Sequence, residues 1–132
     1  MSTILLIDDN KGTREAMRRA IERAGHRVAT AAEGDQGIRL DRELAPDLVV
    51  VDMLMPGKEG AATIIEIREA RPEARILAIS GGGSFVATEI LRLAELVGAD
   101  AAIQKPFSTA ELLAAIDRCL VTESAAAPTT PP

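Results

Sequence analysis

The chain has 132 residues, 47% hydrophobic and 27% charged, with 20 acidic residues against 15 lysines and arginines and a formal net charge of −5. That length fits one domain with its own core, and the acidic balance argues against nucleic acid as a direct partner, because a phosphate backbone needs a basic face. One cysteine, Cys119, and one histidine, His26, exclude a disulfide framework, a zinc cluster and a histidine-rich metal site.

Aromatics are only Phe85 and Phe107, so the core is built from Leu, Ile, Val, Ala and Met. Residues 1–7 lack the charged and apolar regions of a signal peptide, and no apolar run reaches membrane-span length. A cytoplasmic protein without membrane contact is expected.

Taken in chain order, strand-like and helix-like segments alternate. Residues 3–8 (TILLID) are an apolar run of the kind found in buried parallel strands, and they end in two acids, Asp8 and Asp9. Residues 12–24 place Met17, Ala20, Ile21 and Ala24 on one helical face, with Gly25 as the stop. Residues 26–30 (HRVAT) are a more polar strand suited to a sheet edge, with His26 solvated. Residues 33–44 are a poorer helix, weakened by Gly34 and Gly37.

Residues 47–52 (DLVVVD) are a second central strand, ending in Asp52. A helix is expected over 58–70, with Ala61, Ile64, Ile65 and Arg68 on its face and Lys58 and Glu59 toward solvent. Residues 75–80 (RILAIS) end in Ser80 before three glycines, Gly81 to Gly83. Residues 84–97 are strongly apolar, with Phe85, Leu91 and Leu96 off the main stripe. That excess reads as a docking face for a partner or a second copy of the chain. Residues 100–104 (DAAIQ) are a weak edge strand followed by Lys105 and Pro106.

A last helix spans 108–120. It opens with the capping box Ser108–Glu111, carries Leu112, Leu113, Ile116 and Leu120, and packs Cys119. The polar, Pro-rich tail 122–132 is expected to be disordered, leaving one domain over 1–121.

Five βα units of this length predict a doubly wound α/β domain, with helices on both faces of a parallel sheet. Such sheets bind ligands at the carboxyl ends of their strands. Those ends carry Asp8, Asp9, Asp52, Ser80 and Lys105. If strands one and three are neighbours, three carboxylates converge. Two unit charges at 4 Å repel by about 4 kcal/mol at an effective dielectric of 20. A cation relieves that repulsion, and oxygen-only donors on a rigid edge suit Mg²⁺.

The segments ILLIDDN (4–10), VVVDMLMPGKEG (49–60), AISGG (78–82) and QKPF (104–107) together resemble the receiver domain of two-component response regulators. The resemblance covers roughly residues 3–120. It implies a flavodoxin-like five-stranded parallel sheet in the order 2-1-3-4-5. It implies that Asp52 accepts a phosphoryl group from a sensor histidine kinase or a histidine phosphotransferase. Asp9, Asp52 and the backbone carbonyl of Leu54 would ligate Mg²⁺, with Asp8 acting through a water.

By the same resemblance, Ser80 would hydrogen-bond the phosphoryl group. Lys105 would pair with it, and with Asp52 beforehand, across a cis bond to Pro106. Backbone N–H groups after Asp52 and Ser80 would complete the site. The role is that of a signalling phosphoacceptor in a phosphorelay rather than an enzyme. It would act on a downstream protein, not identified by the sequence, through the surface around helix 84–97 and strand 100–104, as a stand-alone receiver.

Three positions depart from the common family pattern. Ala102 stands where many members carry a switching aromatic, and Leu54 and Gly82 occupy positions that tune dephosphorylation. An aspartyl-phosphate phosphatase needs an acid where Leu54 stands. A flavin binder needs a phosphate loop where Asp8 and Asp9 stand. The remaining alternative is a receiver-fold binding module that works without phosphorylation.

Overall fold

The computed structural model describes residues 1–53, 60–80, 92 and 95–121. The strands are β1 (Thr3–Ile7), β2 (Arg27–Ala31), β3 (Leu48–Asp52), β4 (Ile76–Ser80) and β5 (Ala101–Gln104). The helices are α1 (Lys11–Arg23), α2 (Gly34–Leu44), α3 (Gly60–Ala70) and α4 (Thr109–Val121). The strands form one parallel sheet in the order β2-β1-β3-β4-β5.

The polar strands are at the edges and the apolar ones at the centre, as hydrophobic patterning requires. Residues β3 48–52 and β4 76–80 are buried throughout, whereas β5 is only partly buried.

The side-chain alternation of the strands divides the core into two layers. Leu5, Ile7, Val49, Val51 and Ile76 face Ile38 of α2 and Ile64 and Ile67 of α3. Ile4, Leu6, Val50, Leu77 and Ile79 face Met17 and Ile21 of α1 and Leu112 and Ile116 of α4. Each fully buried Leu or Ile contributes roughly 1.5–3 kcal/mol.

Helix ends follow local chemistry. Gly25 has φ +100°. Its N–H donates to the Glu22 carbonyl at 3.0 Å and that of His26 to the Ile21 carbonyl at 3.4 Å, the paired bonds of a Schellman turn. Ser108 and Glu111 form the expected capping box, with Glu111 N–H donating to Ser108 Oγ at 3.0 Å.

Some expectations shift. β2 begins one residue later than expected, so His26 precedes it; His26 is half-buried, and its Nδ1 accepts the Ser2 N–H at 3.3 Å. Ala24 is the exposed C-cap of α1 rather than part of its core face. On α3 the buried residues are Gly60, Thr63, Ile64 and Ile67, while Ile65 is 40% exposed. Arg68 turns to the amino edge of the sheet. There its guanidinium meets Asp100 at 3.0 Å and donates to the carbonyls of Pro72, Ala74 and Gly98. Asp100 Oδ2 also accepts the Ile76 N–H at 2.7 Å. At the same edge Arg71 pairs with the buried Asp41 of α2 at 2.7 Å.

Leu96 is 84% exposed at the end of segment 84–97. The rest of the proposed docking face there, Phe85 and Leu91 included, lies outside the described residues, as do Lys58, Glu59 and the tail 122–132. Among the described residues no helix is long and apolar enough to cross a membrane.

Candidate functional site

Strand register builds the site. Ile7 pairs with Val51 across β1 and β3, so the chain leaves both strands at neighbouring points, with Asp8 following Ile7 and Asp52 closing β3. The carboxylate oxygens of Asp8, Asp9 and Asp52 lie within 4.8 Å of one another. Asp8 and Asp52 are buried and Asp9 is exposed, so the cluster opens to solvent on one side.

Asp8 is held at three of its four polar atoms. Its N–H donates to the Ala31 carbonyl at 3.1 Å. Its Oδ1 accepts the Asn10 N–H at 2.8 Å, and its own carbonyl accepts from Arg14 Nη1 at 2.8 Å. Asn10 then caps α1, its Oδ1 accepting the Thr13 N–H at 2.9 Å. The fourth atom, Asp8 Oδ2, is buried and has no hydrogen-bond partner among the described residues. Burial pushes the Asp8 carboxyl above its usual range, against the opposing pull of the Asn10 N–H and Lys105.

Lys105 follows β5, three strands from β1 in the sheet. Its Nζ nevertheless reaches to 3.9 Å from Asp8 Oδ2, extending over the ends of the intervening strands. The Lys105–Pro106 peptide is cis, as the resemblance implies. The Lys105 N–H donates to the Ser80 carbonyl at 3.0 Å, and Ser80 is fully buried at the end of β4. Asp8, Asp9, Asp52, Ser80 and Lys105 thus share one edge.

Two details differ from expectation. The lysine has an ion-pair partner in Asp8, which the sequence had not assigned. The Met53 N–H, the first after Asp52, donates to the Ile79 carbonyl at 2.8 Å and so belongs to the sheet. Leu54 and Gly82 lie outside the described residues. Ala102 is half-buried in β5, packed against the α2–α3 layer of the core.

The residues present fit a hard divalent cation. The donors are all carboxylate oxygens, and one of these residues, Asp8, carries a buried oxygen with no hydrogen-bond partner among the described residues. Beside Lys105 runs a groove of about 510 Å³, lined by Thr13, Met17, Pro106, Phe107 and Leu112 among others.

Sequence reasoning missed Arg14, Asn10 and Gly60. Asn10 before a helical pattern is a readable cap signal. Gly60 stands where a Cβ would overlap the Asp52 carbonyl oxygen and the Met53 Cα, so α3 can approach the end of β3 only through a glycine. Nothing in the local sequence marks Arg14, whose role depends on where α1 turns.

The chain belongs to the response regulator receiver domain family, whose sequence model matches residues 4–117. It is 33% identical over 122 residues to protein CcdB of Bacillus subtilis, covering 91% of this chain and 98% of CcdB. It is 46% identical over 68 residues to the transcriptional regulatory protein AfsQ1 of Streptomyces coelicolor, covering 52% of this chain; the match spans only 30% of AfsQ1. Among solved structures it is similar to the receiver domain of NtrX from Brucella abortus. The TM-score there is 0.84 at 31% identity, over 90% of this chain and 98% of that one.

Proposed function

We propose that this domain accepts a phosphoryl group on Asp52 from a phosphohistidine of a sensor histidine kinase or histidine phosphotransferase, with Mg²⁺ bound at the carboxylate cluster. The observation that carries this reading is the convergence of Asp8, Asp9 and Asp52 within 4.8 Å, with the Lys105 ammonium 3.9 Å from Asp8.

Asp8, Asp9 and Asp52 would hold the ion, together with the carbonyl of Leu54. When bound, Mg²⁺ neutralises the carboxylates and the equatorial phosphoryl oxygens. A carboxylate oxygen of Asp52 attacks phosphorus, the P–N bond breaks, and its electron pair returns to the imidazole. The product is an acyl phosphate. Lys105 is long enough to leave Asp8 and pair with a phosphoryl oxygen, contributing electrostatic stabilisation where charge develops. Ser80, buried at the next strand end, donates its hydroxyl to the transferred group.

The domain is then a phosphoprotein switch rather than a turnover enzyme. It works in the cytoplasm on a downstream protein, through the surface that includes exposed Leu96. A second copy binding through helix 84–97 is one form such a partner takes.

The test is intact mass after incubation with Mg²⁺ and a small phosphodonor such as acetyl phosphate, or with a phosphorylated histidine kinase. One added phosphoryl group is expected, lost with EDTA and in Asp52→Asn. An adduct that persists in Asp52→Asn overturns the assignment of the acceptor. Absence of any adduct from either donor favours the phosphorylation-independent binding module.

A further inference from the structure

We infer that Arg14 is a positioning residue for the cation site, acting through the backbone of Asp8. The inference rests on the reading of the carboxylate cluster as a Mg²⁺ site. Arg14 sits in the first turns of α1, and its Nη1 donates to the Asp8 carbonyl at 2.8 Å. Its own N–H donates to the Asn10 carbonyl at 2.8 Å. That second bond is the first backbone bond of α1 to its cap and persists with any side chain but proline at 14, so the guanidinium's own contribution is to tie the Asp8 end of the Asp8–Asn10 turn, which also carries Asp9, to the helix.

The remaining atoms of Asp8 are fixed by Ala31 and Asn10, which leaves Oδ2, 3.9 Å from Lys105 Nζ, as the atom without a hydrogen bond among the described residues. Without the guanidinium, the Asp8 carbonyl loses its side-chain anchor and the turn gains freedom. Two of the three carboxylates then lose their fixed separation from Asp52. Outer-shell contacts of this kind change metal affinity by about 10-fold or more when removed.

Charge and geometry make opposite demands at Arg14. A cation beside the cluster repels Mg²⁺, so removing its charge alone tightens binding. Removing an anchor weakens it.

The experiment is a Mg²⁺ titration followed by backbone amide NMR shifts of residues 8–13. It compares wild type, Arg14→Met, Arg14→Lys and Arg18→Met, each first checked for an unchanged melting temperature without metal. Arg18 pairs with Glu15 and Glu22 on the same helix and serves as the charge-removal control. The expected result is a dissociation constant raised about 10-fold in Arg14→Met. Arg14→Lys is expected to be raised similarly, because lysine keeps the charge but not the planar donor. Arg18→Met is expected to match wild type.

Tighter binding in Arg14→Met with an unchanged Arg14→Lys assigns Arg14 a purely electrostatic role and overturns the inference. A wild type without saturable shifts at residues 8–10 overturns the cation site itself, and this inference with it. If an Arg14 variant melts early, hydrogen exchange settles the point. Faster exchange confined to residues 8–13 supports the anchor, and faster exchange across all of α1 overturns it.

Discussion

Lys105 and Asp8 meet at 3.9 Å, and the oxygen concerned, Asp8 Oδ2, is a buried acceptor with no hydrogen-bond partner among the described residues. The ion pair is long for a direct bond, so it only partly offsets the burial of the charge.

Asp8→Asn is therefore expected to stabilise the metal-free domain by about 1–3 kcal/mol, because the amide carries no charge to desolvate at a site where the ion pair only partly offsets burial. Burial raises the Asp8 carboxyl above its unfolded value, so the folded state holds the proton longer than the unfolded one. Stability then falls as pH rises from the usual carboxylate range, about 3.9, through the raised folded value. The variant removes that fall. Urea unfolding in EDTA at several pH values measures it; a variant less stable than wild type at neutral pH would refute the argument.

Gly60→Ala is expected to damage the acceptor from behind. A Cβ there overlaps the Asp52 carbonyl oxygen and the Met53 Cα, so either α3 or the end of β3 must move. Overpacking of this kind costs about 1–3 kcal/mol. Phosphoryl uptake from acetyl phosphate, timed by intact mass, should fall about 10-fold or more, since misplacement by about 1 Å carries a penalty of that order or greater. Gly12→Ala is the contrast: a Cβ there meets only Asn10 Oδ1, at 3.5 Å, and uptake should be unchanged. Equal rates in all three proteins would remove Gly60 from the account.

Arg68→Met is expected to cost about 3–5 kcal/mol, because it strands a buried carboxylate. The Arg68 and Asp100 side chains are only 13% and 6% exposed, and the guanidinium also serves the carbonyls of Pro72, Ala74 and Gly98. Denaturant midpoints should drop sharply for this variant and barely move for Arg18→Met, whose partners are solvent-facing. A small shift in Arg68→Met would mean that water replaces the arginine.

The Cys119 thiol is buried in the α1–α4 layer, and burial pushes its pKa up to about 11. At pH 8 a thiol reagent should label it only as fast as the protein opens. An unfolded thiol titrates near 8.5, so between about 8.5 and 11 the folded state keeps a proton that the unfolded state loses. Stability should decline with rising pH across that window and less so in Cys119→Ala. Labelling in seconds at pH 8, under conditions where the fold is intact, would contradict this.

Much of this was legible in the residue order. The four strand ends announced Asp8, Asp52, Ser80 and Lys105, because apolar runs and their boundaries are local signals. The two-faced core followed from the same runs. What was not legible depends on meetings across the chain. Arg68 reads as part of a helical stripe until Asp100, thirty-two positions away, comes beside it. Asp41 looks like a surface acid until Arg71 covers it. The faces of α3 were misjudged because Ile65 is as apolar as Ile64, and only packing distinguishes them. Arg14 escaped because its target is a backbone carbonyl, which leaves no mark in sequence.

The two poles of the sheet handle their carboxylates in opposite ways. At the amino edge, Arg68 and Arg71 neutralise Asp100 and Asp41 from within the chain. At the carboxyl edge the carboxylates of Asp8, Asp9 and Asp52 converge within 4.8 Å, and Lys105 reaches only to 3.9 Å from Asp8. One end of the molecule is thus finished at synthesis, whereas the other, with Mg²⁺ bound as proposed, is completed by its medium. On the proposed reading, a stability measured in chelator and one measured in magnesium describe two different states of the same chain, and a comparison between mutants holds only when the solution is the same.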